Sequence, residues 1–149
     1  MFIQQHEGYV MLRHIKEHEV SYLEDDPVRP HITIEDKLST GREVLVWENN
    51  GKVEAVVCVS YTDKVAISEK DLYNNYIGEN KIAVLYSIWS YSPRAGRRLV
   101  RALFDELSPK VNRIVTLSPK TDMARRFHFA NGAIELQENS DTINYEYVI

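Results

Sequence analysis

The residues best placed for chemistry lie between Thr116 and Ala133, in the run Thr-Leu-Ser-Pro-Lys-Thr-Asp-Met-Ala-Arg-Arg-Phe-His-Phe-Ala-Asn-Gly-Ala. Arg113 to Ser118 reads as a short apolar strand that Pro119 stops. Thr121 or Asp122 can cap a helix, and Asn131-Gly132 ends it. Met123, Phe127 and Ala130 follow three-to-four spacing, as do Ala124 and His128, so the spacing sets the imidazole beside the buried face with a small residue next to it. Ser118 stands at the strand end, where open α/β sheets take their ligands. A hydroxyl and an imidazole can therefore share one cleft, and an imidazole titrating near neutrality suits proton transfer. The same spacing also fits a strand-end serine bonded to backbone and a core histidine satisfied by a carbonyl.

A second group is basic. Arg94, Arg97, Arg98 and Arg101 cluster around the turn Ser92-Pro93-Arg94-Ala95-Gly96, and Arg125 and Arg126 recur in the later helix. Amides from Arg94 to Arg97, at the positive end of the helix they open, can receive pyrophosphate oxygens. Arginines on exposed helix faces are also commonly just solvated. His14 and His18 have a spacing that binds zinc on a helix, but the glutamate that follows the first histidine in His-Glu-x-x-His is missing, so a solvated face is the expectation and no metal is expected.

The elements that must hold these groups follow from patterning. Tyr9 to Leu23 reads as a helix, with Met11, Ile15 and Tyr22 on one face, ended by Asp25-Asp26-Pro27. Pro30 to Ser39 reads as a second, short helix, released by Gly41. Glu43 to Trp47 and Val53 to Tyr61 are strands joined through Asn49-Asn50-Gly51, residues that tolerate the positive φ of a tight hairpin. Thr62 to Lys81 is polar, with a helical turn around Ser68 to Tyr76. Ile82 to Tyr91 is apolar enough for a central strand covered on both faces. Arg97 to Leu107 is a helix burying Leu99, Val100, Leu103, Phe104 and Leu107. Ala133 to Glu138 and Thr142 to Val148 close the chain as a hairpin. The order implies a mixed α/β sheet with a parallel pair at its middle, and a cleft at the mouth of that pair.

Composition narrows the partners. The 149 residues suffice for one domain with a real core. A formal net charge of -4 argues against a nucleic-acid backbone as partner. The single cysteine, Cys58, lies in an apolar strand pattern, which excludes a disulfide framework and suits a reducing compartment. Met1 to Glu7 lacks a basic segment leading into an apolar one, and no apolar run approaches a membrane span, so a cytoplasmic protein is the expectation.

The layout resembles the GNAT acyltransferase superfamily, in which a central strand, a pyrophosphate-binding turn, a helix, a second parallel strand and a further helix cradle acyl-coenzyme A. Ala124 to Ala133 is similar to that superfamily's late helix, with His128 in the place of its usual tyrosine. Of the phosphate-turn pattern Gln/Arg-x-x-Gly-x-Gly/Ala, this chain keeps only Gly96. Phe127-His128 with Asn131-Gly132-Ala133, Leu117-Ser118-Pro119, Tyr86-Ser87-Ile88 and Asn144-Tyr145-Glu146-Tyr147 resemble, more narrowly, the catalytic domain of malonyl-CoA decarboxylase, itself of GNAT fold. That similarity begins near residue 29 and leaves the family's N-terminal helical domain unmatched.

The resemblance implies a single GNAT-like acyl-CoA-binding domain over residues 1–149, α/β (α+β), with a splayed parallel strand pair and flanking helices. It implies Ser118, His128 and Tyr147 as catalytic residues. Ile88, Trp89 and Ser90 would polarise the thioester, and Arg94, Ala95, Gly96, Arg97 and Arg98 would hold the pyrophosphate. The substrate would be a coenzyme A thioester, malonyl-CoA or acetyl-CoA, handled by a monomer or homodimer. Three activities fit: decarboxylation of malonyl-CoA, N-acetylation of a small amine acceptor, and acyl-CoA binding without catalysis.

Overall fold

A computed structural model describes residues 9–75 and 81–149. Its scaffold is one mixed sheet. β1 (Val10–His14), β2 (Arg42–Asn49), β3 (Lys52–Thr62) and β4 (Ile82–Ser90) are antiparallel neighbours in that order. β4 runs parallel to β5 (Arg113–Thr116), and β5 and the two-residue β6 (Ser118–Pro119) pair in succession with β8 (Thr142–Tyr147). β7 (Ile134–Glu138) pairs with the other edge of β8.

The β2–β3 hairpin turns as its residues dictate, with Asn50 at φ 55° and Gly51 at φ 80°. β4 is nearly continuous in apolar side chains because both its faces are covered. On one face lie α2 (Ala95–Leu107), through Leu99, Val100, Leu103 and Leu107, and α3 (Asp122–Ala130). On the other lie the 3-10 segments Glu17–Asp25 and Glu69–Tyr73 and α1 (Ile34–Lys37), which, with Ile32 just before α1, bring Leu23 and Leu72 against Val56, Val84, Tyr86 and Leu117. No helix is long and apolar enough to cross a membrane among the described residues.

Several expectations are corrected. Tyr9 to Leu23 is not a helix: Val10–His14 forms an edge strand on β2, and only Glu17–Asp25 coils, as a 3-10 helix. His14 is therefore on a strand and bonds Glu43, so the i,i+4 histidine pair does not exist on a helix face. The second helix shrinks to Ile34–Lys37, capped by Thr33. The turn expected over Ser68 to Tyr76 is the 3-10 segment Glu69–Tyr73, with Tyr76 outside the described residues, as are Met1 to Glu7. Helix α2 starts two residues early, at Ala95. Pro119 does not stop pairing, because it faces Thr142 on β8 and needs no donor toward that partner. In α3, Met123 is 77% exposed, and the one buried residue is His128.

Candidate active site

The gap expected at the sheet's middle is present. β4 and β5 pair from Ile82↔Arg113 to Leu85↔Thr116, and Leu117 N–H adds one last bond to Leu85 O, 2.9 Å. Beyond it β4 continues toward Ser90 while Ser118 and Pro119 turn to β8, so the two strands part. The β3–β4 register slips between Cys58 and Val59, leaving Tyr86 as an extra residue at the level where the gap opens.

Past that bulge the strand presents a bare edge. Tyr91 N–H bonds Glu54 O on the β3 side at 2.7 Å. Alternation then turns the N–H groups of Ile88 and Ser90 away from β3 and into the gap, where no strand among the described residues receives them. Trp89 points its side chain to the opposite face and donates from Nε1 to Tyr91 OH, which donates in turn to Asp25.

At the end of this edge Arg94 takes the left-handed conformation, φ 67°, and starts α2. Ala95 N–H bonds Ser92 O and Arg98 N–H bonds Arg94 O, whereas the N–H groups of Gly96 and Arg97 meet no acceptor among the described residues. Arg94, Arg97, Arg98 and Arg101 are exposed, and none pairs with a carboxylate among the described residues. Gly96 is also where α3 touches α2: a Cβ there would lie 3.2 Å from Phe127 Cε1. Beyond that contact the helices separate around a cavity of ≈ 440 Å³, lined in part by Arg97, Arg101, Asn131 and Tyr147.

Ser118, His128 and Tyr147 gather at the base of the gap around Tyr145. His128 Nδ1 and Tyr147 OH are 2.7 Å apart, and the imidazole stacks on Tyr145 with centroids 5.1 Å apart. Tyr145 N–H donates to Thr116 Oγ1 at 3.0 Å, and Thr116 Oγ1 shares a 2.8 Å hydrogen bond with Ser118 Oγ. No hydrogen bond joins Ser118 to His128 among the described residues; Thr116 holds the serine and Tyr147 the histidine. Both groups are nearly closed to water, at 3% and 5% exposure. Burial pushes the imidazole down to about 4 and raises the Tyr147 phenol, so both are neutral at pH 7.

Sequence reasoning missed four supporting residues. Thr116 and Tyr145 tie the two hydrogen-bonded pairs together. Asn144, fully buried, donates to Thr116 O and Ala66 O and fixes the strand break against the loop that follows β3. Arg29, from the opposite face, donates from Nη2 to Leu117 O at 3.1 Å.

The mixed sheet with its parting parallel strands has the fold of solved acetyltransferases, one of them described as of the GNAT family. Superposition on solved structures bears this out. Malonyl-CoA decarboxylase from Agrobacterium vitis matches with a TM-score of 0.74 at 16% identity, over 95% of this chain and 61% of that one. The enzyme of the same name from Cupriavidus metallidurans gives 0.66 at 15%, over 93% and 60%. Aminoglycoside acetyltransferase AAC(6')-Ib in complex with coenzyme A gives 0.69 at 16%, over 94% and 95%. The chain thus spans about three-fifths of those decarboxylases and nearly all of that acetyltransferase. No family model and no curated protein sequence matches it.

Proposed function

We propose that this chain is an acyl-coenzyme A enzyme that decarboxylates a malonyl-type thioester to acetyl-CoA. The observation that carries the coenzyme A part of this reading is the open β4 edge at Ile88 and Ser90, leading to the amides of Gly96 and Arg97 and to four arginines, none of which has a partner among the described residues. A pantetheine arm can add to that edge as a strand would, with its pyrophosphate on the helix start. The solved neighbours include coenzyme A complexes and malonyl-CoA decarboxylases, which supports the same ligand class here.

The groups at the base of the gap suit an enolate. When carbon dioxide leaves, the electron pair of the broken carbon–carbon bond moves onto the thioester oxygen, where the Ile88 amide is the donor. Ser118, held by Thr116, orients the departing carboxylate. With Tyr147 donating to Nδ1, the ring proton sits on Nε2 of His128 and passes to the α-carbon, and the phenol proton follows onto Nδ1. Water in the cavity that Tyr147 lines returns the proton to the phenol. The side chains hydrogen-bonded to one another here, Thr116, Ser118, His128 and Tyr147, include no carboxylate to hold an ammonium acceptor, and decarboxylation needs no acceptor.

Incubation with malonyl-CoA, followed by acetyl-CoA and carbon dioxide release, tests this. Turnover that falls in Ser118→Ala and His128→Ala supports it. Coenzyme A released from acetyl-CoA only in the presence of an amine would instead establish the acetyltransferase reading. Binding of coenzyme A without turnover of either thioester would establish the non-catalytic one.

A further inference from the structure

The parting of β4 and β5 leaves one carbonyl that regular pairing would have used. In a parallel ladder the N–H and C=O of a residue face the same neighbour, so Leu117, whose N–H reaches Leu85 on β4, also aims its oxygen at β4. In an unbulged β4 the next rung would bring Ser87 N–H to it, but the bulge at Tyr86 turns that N–H toward β3, and the bond is absent among the described residues. The Arg29 guanidinium takes the place instead, with Nη2 3.1 Å from Leu117 O. A cation thus stands at the base of the gap, entering from the face opposite α2 and α3.

Its seat is built. Asp26 accepts from Val28 N–H and Arg29 N–H at 2.8 and 2.9 Å, and pairs at 2.7 Å with Lys37, both side chains being wholly buried. That fixes the stem of Arg29, which is 5% exposed. The guanidinium is incompletely used, however. Nη1 meets only Val28 O, at 3.4 Å, and Nε lies 3.0 Å from Glu69 Oε2 but off the line of its N–H bond. Arg29 also lines a cavity of ≈ 500 Å³ that runs past Pro119, the neighbour of Ser118, to Ser68, Lys70 and Thr142. Asp26 is balanced by Lys37, and Glu69 pairs with both Arg29 and His31. Glu69, Asp71 and Asp141 also line the cavity, so an acyl carboxylate would meet the guanidinium from the gap, at Leu117 O, and not through the cavity.

We propose that Arg29 reads the acyl group, selecting thioesters whose acyl chain ends in a carboxylate. This rests on the acyl-CoA reading. The planar fork of a guanidinium suits a carboxylate, and its donors are already stripped of water and held in place.

The test uses two unreactive thioethers of equal length, S-(2-carboxyethyl)-coenzyme A and S-propyl-coenzyme A, titrated calorimetrically into the full chain. The proposal expects the carboxylate ligand to bind about tenfold or more tightly than the propyl one. In Arg29→Gln the ratio falls to about one while S-propyl-coenzyme A binds as before, and Arg29→Lys, which keeps the charge and loses the fork, retains part of it. Equal affinities in the unmodified chain would overturn the proposal even if Arg29→Gln failed to fold, and so would a preference that persists in a folded Arg29→Gln. Failure of both thioethers to bind would sink the acyl-CoA reading, and this proposal with it.

Discussion

Replacing His128 by Gln should change how stability depends on acid, because the imidazole is buried neutral. In the folded chain burial holds its pKa at about 4, against 6.5 for the free side chain. As pH falls from 6.5 toward 4 the unfolded chain takes up a proton that the folded chain refuses, so stability is fully present above 6.5 and declines through that window. The cost grows by about 2 kcal/mol between pH 7 and pH 5, and to about 3 kcal/mol by pH 4, after which it levels off. Carboxylates add their own acid sensitivity, but they are common to both proteins. Urea unfolding of the unmodified chain and His128→Gln at pH 7, 6 and 5 therefore isolates the imidazole. The unmodified chain should lose about 2 kcal/mol more than the variant from pH 7 to pH 5. Parallel curves would mean that the ring titrates normally, in contact with water, and the packing against Tyr145 and Tyr147 would be refuted.

Three further outcomes follow from the same geometry. Gly96→Val should overpack the α2–α3 contact at Phe127 and lower stability by about 1–3 kcal/mol, read as a lower urea midpoint; an unchanged midpoint would show that the helices do not touch there. Lys37→Met leaves the wholly buried Asp26 carboxylate without its counterion and should cost about 3–5 kcal/mol, whereas a loss below 1 kcal/mol would show that water reaches the pair. Arg97→Ala combined with Arg98→Ala should weaken coenzyme A binding and flatten its salt dependence, and a binding isotherm indifferent to both changes would remove these arginines from the phosphate site.

Local chemistry made much of this molecule legible in its sequence. Asn50-Gly51 announces the β2–β3 hairpin, the apolar run from Ile82 announces a central strand, and Thr121 and Asn131-Gly132 bound α3 as their caps require. The N-terminal strand was not legible. β1 is an edge strand with three half-buried residues in a row and no strict alternation, so the spacing of Met11, Ile15 and Tyr22 imitates a helix until β2 is there to pair with it.

The site divides the same way. Ser118, His128 and Tyr147 stand out by residue type and resemblance, but what each one bonds is decided by long-range pairing. Thr116 and Tyr145 come together only because β8 lies beside the β5–β6 break. Arg29 gave no sign at all, since Asp25-Asp26-Pro27 reads as a helix terminator and nothing local ties residue 29 to a carbonyl at position 117. A buried charge in a loop is visible only once its partners are in place.

The central claim is that a coenzyme A thioester lies along the open edge of β4 with its phosphates on the start of α2. Amide chemical shifts recorded while coenzyme A is titrated into the labelled protein test it most directly. The account predicts saturable shifts at Ile88, Ser90, Gly96 and Arg97, with β1 and β2 unmoved. Saturable binding that shifts other amides and leaves these four in place would contradict it.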